Sequence, residues 1–188
     1  EAHFLKGVNM RIIAGKYRSR VLKTLSGMNT RPMTDRMKEA VFNTIGPYFS
    51  EIIVLDLFGG SGALSLEAIS RGAKEAFIVD NNKDAIKIIN ENVKLLNEQD
   101  KVKIIQTSYL EAIKRLANWQ FDLIFLDPPY IMNVNNEIID LFVKLGMLKE
   151  GTIIVCQYVR GNMTIPQGFS IIKNYCSGSS ELTILKYH

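Results

Sequence analysis

The chain has 188 residues, 47 % of them apolar and 22 % charged, with a net charge of +4; this is the composition of one folded domain, not of a disordered or fibrous chain. No apolar run approaches the roughly 18–20 residues of a membrane helix and no secretory leader is visible at the start, so a cytoplasmic protein is expected, with no membrane partner. The two histidines, His3 and His188, stand at the chain ends, and Cys156 and Cys176 lie in apolar stretches outside any metal-ligand spacing; a histidine base, a metal centre and a disulfide are therefore not expected, and both cysteines read as buried, reduced core residues.

In chain order, residues 1–9 precede Met10, which reads as a natural start, and are set aside as a tag or extension. Residues 11–14 and 20–22 flank Gly15-Lys16-Tyr17-Arg18-Ser19 and read as a loose β-hairpin arm over residues 10–30. The arm is basic. Between residues 10 and 38 there are eight Lys/Arg and one acid, Asp35, while the rest of the chain holds 15 Lys/Arg and 18 Asp/Glu. Positive charge so confined, with an aromatic among it, is the footprint of a polyanion binder, and Arg11, Lys16, Tyr17, Arg18, Arg20 and Lys23 are the candidate nucleic-acid contacts.

Arg31-Pro32-Met33-Thr34 is a stiff turn with Thr34 placed to cap a helix, whose Met37, Val41 and Ile45 recur at four-residue spacing before Gly46-Pro47. Strands and helices then alternate. Strands are expected over 52–57, 76–79, 102–105, 121–126 and 152–156, and helices over 62–71, 82–96, 109–116 and 135–145. Residues 169–172 and 182–185 end the chain as strands joined across Ser177-Gly178-Ser179-Ser180. Short β–α alternation implies an α/β, Rossmann-like, mostly parallel sheet with helices on both faces, and the last two strands imply an antiparallel hairpin at one edge.

Two strand ends carry the chemistry. The first leads into Asp56-Leu57-Phe58-Gly59-Gly60-Ser61-Gly62, a glycine turn that lets backbone approach a ligand. Ser65 breaks the dinucleotide spacing and no lysine follows, so a nicotinamide site is disfavoured and a P-loop excluded. The next strand ends in Asp80, where an acid holds ribose hydroxyls in this architecture. An acid in place of a phosphate cradle suits a cofactor with a cationic amino-acid end, and S-adenosylmethionine fits. Its amino end falls to Asp56, Phe58, Gly59, Gly60 and Gly62, its ribose to Asp80, and its adenine to Asn81, Ser108 and Tyr109. The second strand end is Asp127-Pro128-Pro129-Tyr130. Two prolines fix the path and keep only acceptors, and with the ring of Tyr130 they suit a planar group bearing an NH2, such as a nucleobase.

Together these motifs resemble the class I S-adenosylmethionine-dependent methyltransferases of exocyclic amines. The opening Met10-Arg11-Ile12-Ile13-Ala14-Gly15-Lys16-Tyr17, the run Arg31-Pro32-Met33-Thr34-Asp35-Arg36 and residues 59–73 (GGSGALSLEAISRGA) resemble the RsmD family of 16S ribosomal RNA guanine-N2 methyltransferases, over nearly all of residues 10–187. The resemblance implies a seven-stranded methyltransferase domain over residues 31–188, acting as a monomer on 16S RNA within a small-subunit particle. It implies that Asp127 and the Pro128 carbonyl accept the two N–H groups of the amine, that Pro129 sets the loop, and that Tyr130 stacks on the base. Arg31 is expected at the cofactor, at the RNA, or as a cap on the arm. Met33 stands where the family usually has Thr, and Ser108 where an acid often meets the adenine amine. The same tetrad serves DNA adenine-N6 methyltransferases, which usually carry an added recognition region for which this chain has no room. A non-catalytic RNA-binding module is the rival of another class.

Overall fold

The computed structural model describes residues 10–25 and 33–188. The chain opens with two short antiparallel strands, β1 (Met10–Arg11) and β2 (Val21–Leu22), which pair Met10 with Leu22 and Arg11 with Val21. Helix α1 (Asp35–Ile45) follows, its first turn capped as expected by the Thr34 side chain, which accepts from the Met37 N–H. Then come β3 (Ile53–Asp56), α2 (Ala63–Ser70), β4 (Glu75–Asp80), α3 (Lys83–Leu95), β5 (Val102–Gln106), α4 (Tyr109–Arg115), β6 (Phe121–Leu126) and α5 (Asn135–Lys144). Three long strands close the chain: β7 (Leu148–Val159), β8 (Phe169–Ser177) and β9 (Ser180–Tyr187).

Seven strands form one sheet in the order β5-β4-β3-β6-β7-β9-β8, parallel from β5 to β7 and antiparallel at β9 and β8. Period-two alternation along the strands sorts their side chains into two cores. Val54, Ile78, Phe125 and Val155 face one side, packed under Val41 and Phe42 of α1, Leu66 and Ile69 of α2, and Ile89 and Val93 of α3. Leu55, Val79, Leu126 and Cys156 face the other, under Ile113 of α4 and Ile138 and Phe142 of α5. Helices thus cover both faces, as the alternation implied.

The last three strands run further than their apolar cores suggest. β8 is an edge strand with one flank in solvent, so exposed residues continue its ladder to Ser177. Cys176 is accordingly exposed, against the expectation that both thiols are buried, while Cys156 lies in the core as expected; both are free. The hairpin turns on Gly178-Ser179, with Gly178 at φ 60°, which a side chain would strain. Among the described residues no helix is long and apolar enough to cross a membrane.

Candidate active site

Strand order reverses between β3 and β6, which send their partners in opposite directions, and a cleft opens where their carboxyl ends separate. Asp56, Asp80 and Asp127 each sit at or one residue past a strand end. By the same two-residue step, each lies on the face of Val54, Ile78 and Phe125. One cavity of about 390 Å3 gathers them, lined besides by residues 57–61, Asn81, Thr107, Ser108, Tyr109, Pro129 and Met132.

The glycine turn is built by close packing. Gly59 donates its N–H to the Val79 carbonyl at 2.7 Å, which draws the loop onto β4. A Cβ on Gly59 would stand 2.4 Å from Ile78 Cγ2, so the turn reaches this depth only without a side chain. Gly62, at φ 80°, starts α2 in the left-handed region. Gly60 donates to Asp80 Oδ2 at 3.0 Å, and Asn82 N–H donates to Oδ1 at 2.9 Å, so the Asp80 carboxylate is held between the turn and the start of α3. Asp56 is 2 % exposed. Ser65, the residue that departs from the dinucleotide pattern, donates its hydroxyl to Asp56 Oδ2 at 3.2 Å. Burial, and next the charge of Asp127 across the cavity, push the Asp56 carboxyl up to about 7.

At the far end, Phe58 and Tyr109 stack obliquely with ring centroids 5.6 Å apart, giving the cavity an aromatic wall beside Asn81 and Ser108. The Ser108 hydroxyl accepts from the Glu111 N–H and so caps α4.

Asp127 opens the Asp-Pro-Pro-Tyr loop. Its side chain reaches the cavity wall, yet it lies deep enough in the cleft for burial to push its carboxyl up to about 7. The Pro129 carbonyl accepts from the Met132 N–H at 2.9 Å and closes a turn. Tyr130 is 42 % exposed, and its hydroxyl meets the Ser180 hydroxyl at 2.5 Å, tying the loop to the β8–β9 turn. Two acids with raised pKa values in one cleft mark it as the place where chemistry is arranged. Among the described residues no cluster of His, Cys, Asp and Glu has the makings of a metal site.

Residues 10–186 match the family model described as conserved hypothetical protein 95. The chain belongs to that family, the RsmD family of the motif resemblance. YlbH of Bacillus subtilis (strain 168), named provisionally as an rRNA methyltransferase, is 39 % identical over 153 residues, covering 80 % of this chain and 83 % of its own. The Haemophilus influenzae protein named ribosomal RNA small subunit methyltransferase D is 33 % identical over 172 residues, 90 % of this chain and 89 % of its own. Among solved structures, HI0767 of Haemophilus influenzae, named provisionally as a methylase, superposes with a TM-score of 0.82 at 30 % identity, over 95 % of this chain and 98 % of its own.

In this family member the arm is strapped to the domain by buried charges that sequence reasoning did not single out. Glu67 is fully buried in α2. Its carboxylate accepts from the N–H groups of Ile13 and Ala14 and from Arg71 Nε at 2.9 Å. Lys38 is 2 % exposed, donates to the Arg11 carbonyl at 2.6 Å, stands 3.9 Å from Glu67 and lines the cavity. Tyr17 is placed otherwise than expected. It is 9 % exposed, and its hydroxyl donates to the buried Glu98, so its ring belongs to the core and is not offered to RNA. Arg11, Lys16 and Lys23 lie in solvent but pair with Asp35, Glu98 and Glu91. Arg18 and Arg20 are exposed and form no ion pair among the described residues. Arg31 lies outside the described residues.

Proposed function

We propose that this protein transfers the methyl group of S-adenosylmethionine to the N2 amine of a guanine in small-subunit (16S) ribosomal RNA. The observation that carries the reading is the cleft itself: Asp127, at the end of β6, opens into the same cavity as Asp56, Asp80 and the glycine turn. The names of the relatives support an rRNA methyltransferase. The cavity suits the cofactor on its own chemistry. Two desolvated carboxyls, Asp56 and Asp127, pushed up to about 7 with no ion-pair partner among the described residues, favour a ligand that brings positive charge, and the Phe58–Tyr109 wall favours a flat ring. Asp56 and the turn would hold its amino-acid end, Asp80 its ribose, and Asn81, Ser108 and Tyr109 its adenine, with Ser108 acting through its backbone because its hydroxyl caps α4.

When bound, S-adenosylmethionine supplies an electrophilic methyl group that needs no further activation. The work left to the chain is to orient the amine and to stabilise the charge that grows on it. Guanine N2 is a poor nucleophile because its lone pair is spread into the ring. Asp127 and the Pro128 carbonyl accept hydrogen bonds from its two N–H groups, which turns the lone pair toward the methyl group and meets the positive charge of the transition state with a negative one; as the N–CH3 bond forms and the S–CH3 bond breaks, the one excess proton leaves the amine through the Asp127 carboxylate. The Pro129 turn fixes this geometry in advance, and so supplies positioning. Tyr130, tethered through Ser180, borders the base. The base reaches the cleft flipped out or from an unpaired loop, while Arg18 and Arg20 hold the surrounding phosphates. The protein acts as a cytoplasmic monomer on RNA within a small-subunit particle.

The test is to incubate purified protein with isotope-labelled cofactor and small-subunit RNA, free and in particles, and to digest the product for mass analysis. Label on N2-methylguanosine at one position is expected. Label on N6-methyladenosine, or transfer only to duplex DNA, refutes the reading.

A further inference from the structure

Gln157 was not among the residues singled out by sequence, because the apolar core of β7 ends at Cys156. The strand continues to Val159, and Leu126 pairs with Cys156 across the parallel β6–β7 ladder. Asp127 and Gln157 are therefore the next residues of neighbouring strands, about 4.8 Å apart in the sheet direction. They also share a face, that of Phe125 and Val155. A recess of about 10 Å3 joins Gln157 to Asp127, Pro128, Pro129, Tyr130 and Met132. Gln157 Oε1 is buried there with no hydrogen-bond partner among the described residues. Its backbone is fixed from the other side, because the Gln157 carbonyl accepts from Asn135 Nδ2 at 3.1 Å at the start of α5.

A buried acceptor left without a donor is destabilising, and such atoms in native structures call for an explanation. A base placed for methyl transfer supplies one. With its amine on Asp127, guanine presents N1–H as the neighbouring donor on the same edge, followed by the O6 acceptor. Adenine, with its amine on Asp127, presents N1 as an acceptor beside it. We infer that Gln157 reads the target base, its Oε1 accepting guanine N1–H and its Nε2 facing O6, and that this side chain supplies the choice of guanine that the Asp-Pro-Pro-Tyr loop lacks. The inference rests on the proposed guanine-N2 reading and deepens it.

The experiment compares kcat/KM for RNA carrying guanosine at the target position with the same RNA carrying 2-aminopurine riboside. Both present an amine at C2, but 2-aminopurine lacks N1–H and O6. Gln157→Leu, and Gln157→Met as a second apolar variant closer in shape, are expected to lower the guanosine preference of the wild type by about tenfold or more, as loss of a two-pronged base contact does. Their affinity for S-adenosylhomocysteine, measured by calorimetry, is expected to stay at the wild-type value. An unchanged base ratio in whichever variant folds overturns the inference. So does a lowered Tm with an unchanged ratio, which would assign the side chain to packing of the loop alone. Wild-type protein that leaves guanosine N2 unmethylated overturns the functional reading and this inference with it, whereas transfer with an unaltered ratio overturns this inference alone.

Discussion

Asp56 makes cofactor binding a proton-linked event. Its carboxyl is pushed up to about 7, first by burial and then by Asp127. For a pKa of 7, about ten molecules in eleven are protonated at pH 6 and about one in eleven at pH 8. If the amino end of the ligand requires the carboxylate, affinity should rise about tenfold between these values, roughly 1.4 kcal/mol. About 0.9 proton should be released per ligand bound at pH 6. Calorimetry with S-adenosylhomocysteine in buffers of different ionisation enthalpy measures both quantities. Asp56→Asn should flatten the pH dependence, while Asp127→Asn should keep it and move its midpoint to lower pH, because the neighbouring charge is gone. Stability runs the opposite way. Both carboxyls are raised above their unfolded value of 3.8. Their contribution is therefore fully present below about pH 4 and is lost as pH rises through 7. The Tm of the cofactor-free protein should fall across that window, and saturating ligand should reduce the fall by the part that belongs to Asp56. Wild-type affinity that is flat from pH 6 to 8, or a slope undiminished in Asp56→Asn, would refute the assignment.

Asp127→Ala removes the charge that faces the amine and should lower kcat by about 10²–10³, in the range of losing one transition-state hydrogen-bonding group, with calorimetric cofactor affinity nearly unchanged. Glu67→Ala strands Lys38 and Arg71 in the core and frees the Ile13 and Ala14 amides; a loss of about 3–5 kcal/mol is expected in urea titration. Gly59→Ala drives a Cβ to 2.4 Å from Ile78 and should cost about 1–3 kcal/mol of stability and weaken cofactor binding. The double reversal Arg18→Glu with Arg20→Glu should weaken RNA binding most at low salt and make the salt slope shallower, as a filter-binding series would read.

The sheet and its cleft were legible in the sequence because both follow from period. Each apolar run of four to six residues bounded by Gly, Pro or Asp is a buried strand, and an acid just after it falls at the carboxyl edge. What sequence adds less readily is the face. Asp56, Asp80 and Asp127 converge because each stands two residues beyond an inward residue, Val54, Ile78 and Phe125, and the ladders set Asp56 level with Ile78 and Phe125, so that Asp80 and Asp127 follow one side-chain repeat further along the same face. Local pattern failed wherever a polar residue is buried by a distant partner. Tyr17 sits in a basic run and reads as an RNA contact until Glu98, 81 residues away, draws its hydroxyl inward. Glu67 and Lys38 carry no local signal of burial, yet they bind an arm whose backbone donors and acceptors need partners. The arm is thereby fastened beside the cofactor cavity by its main chain, which leaves the exposed guanidinium groups of Arg18 and Arg20 available for the polyanion. Main-chain anchoring of this kind has no residue signature, because any sequence carries the same amides. Its traces are buried polar side chains on the helices beneath the arm, Glu67 and Ser70 of α2, Lys38 of α1 and Asn92 of α3, and they are legible only once their partners are known.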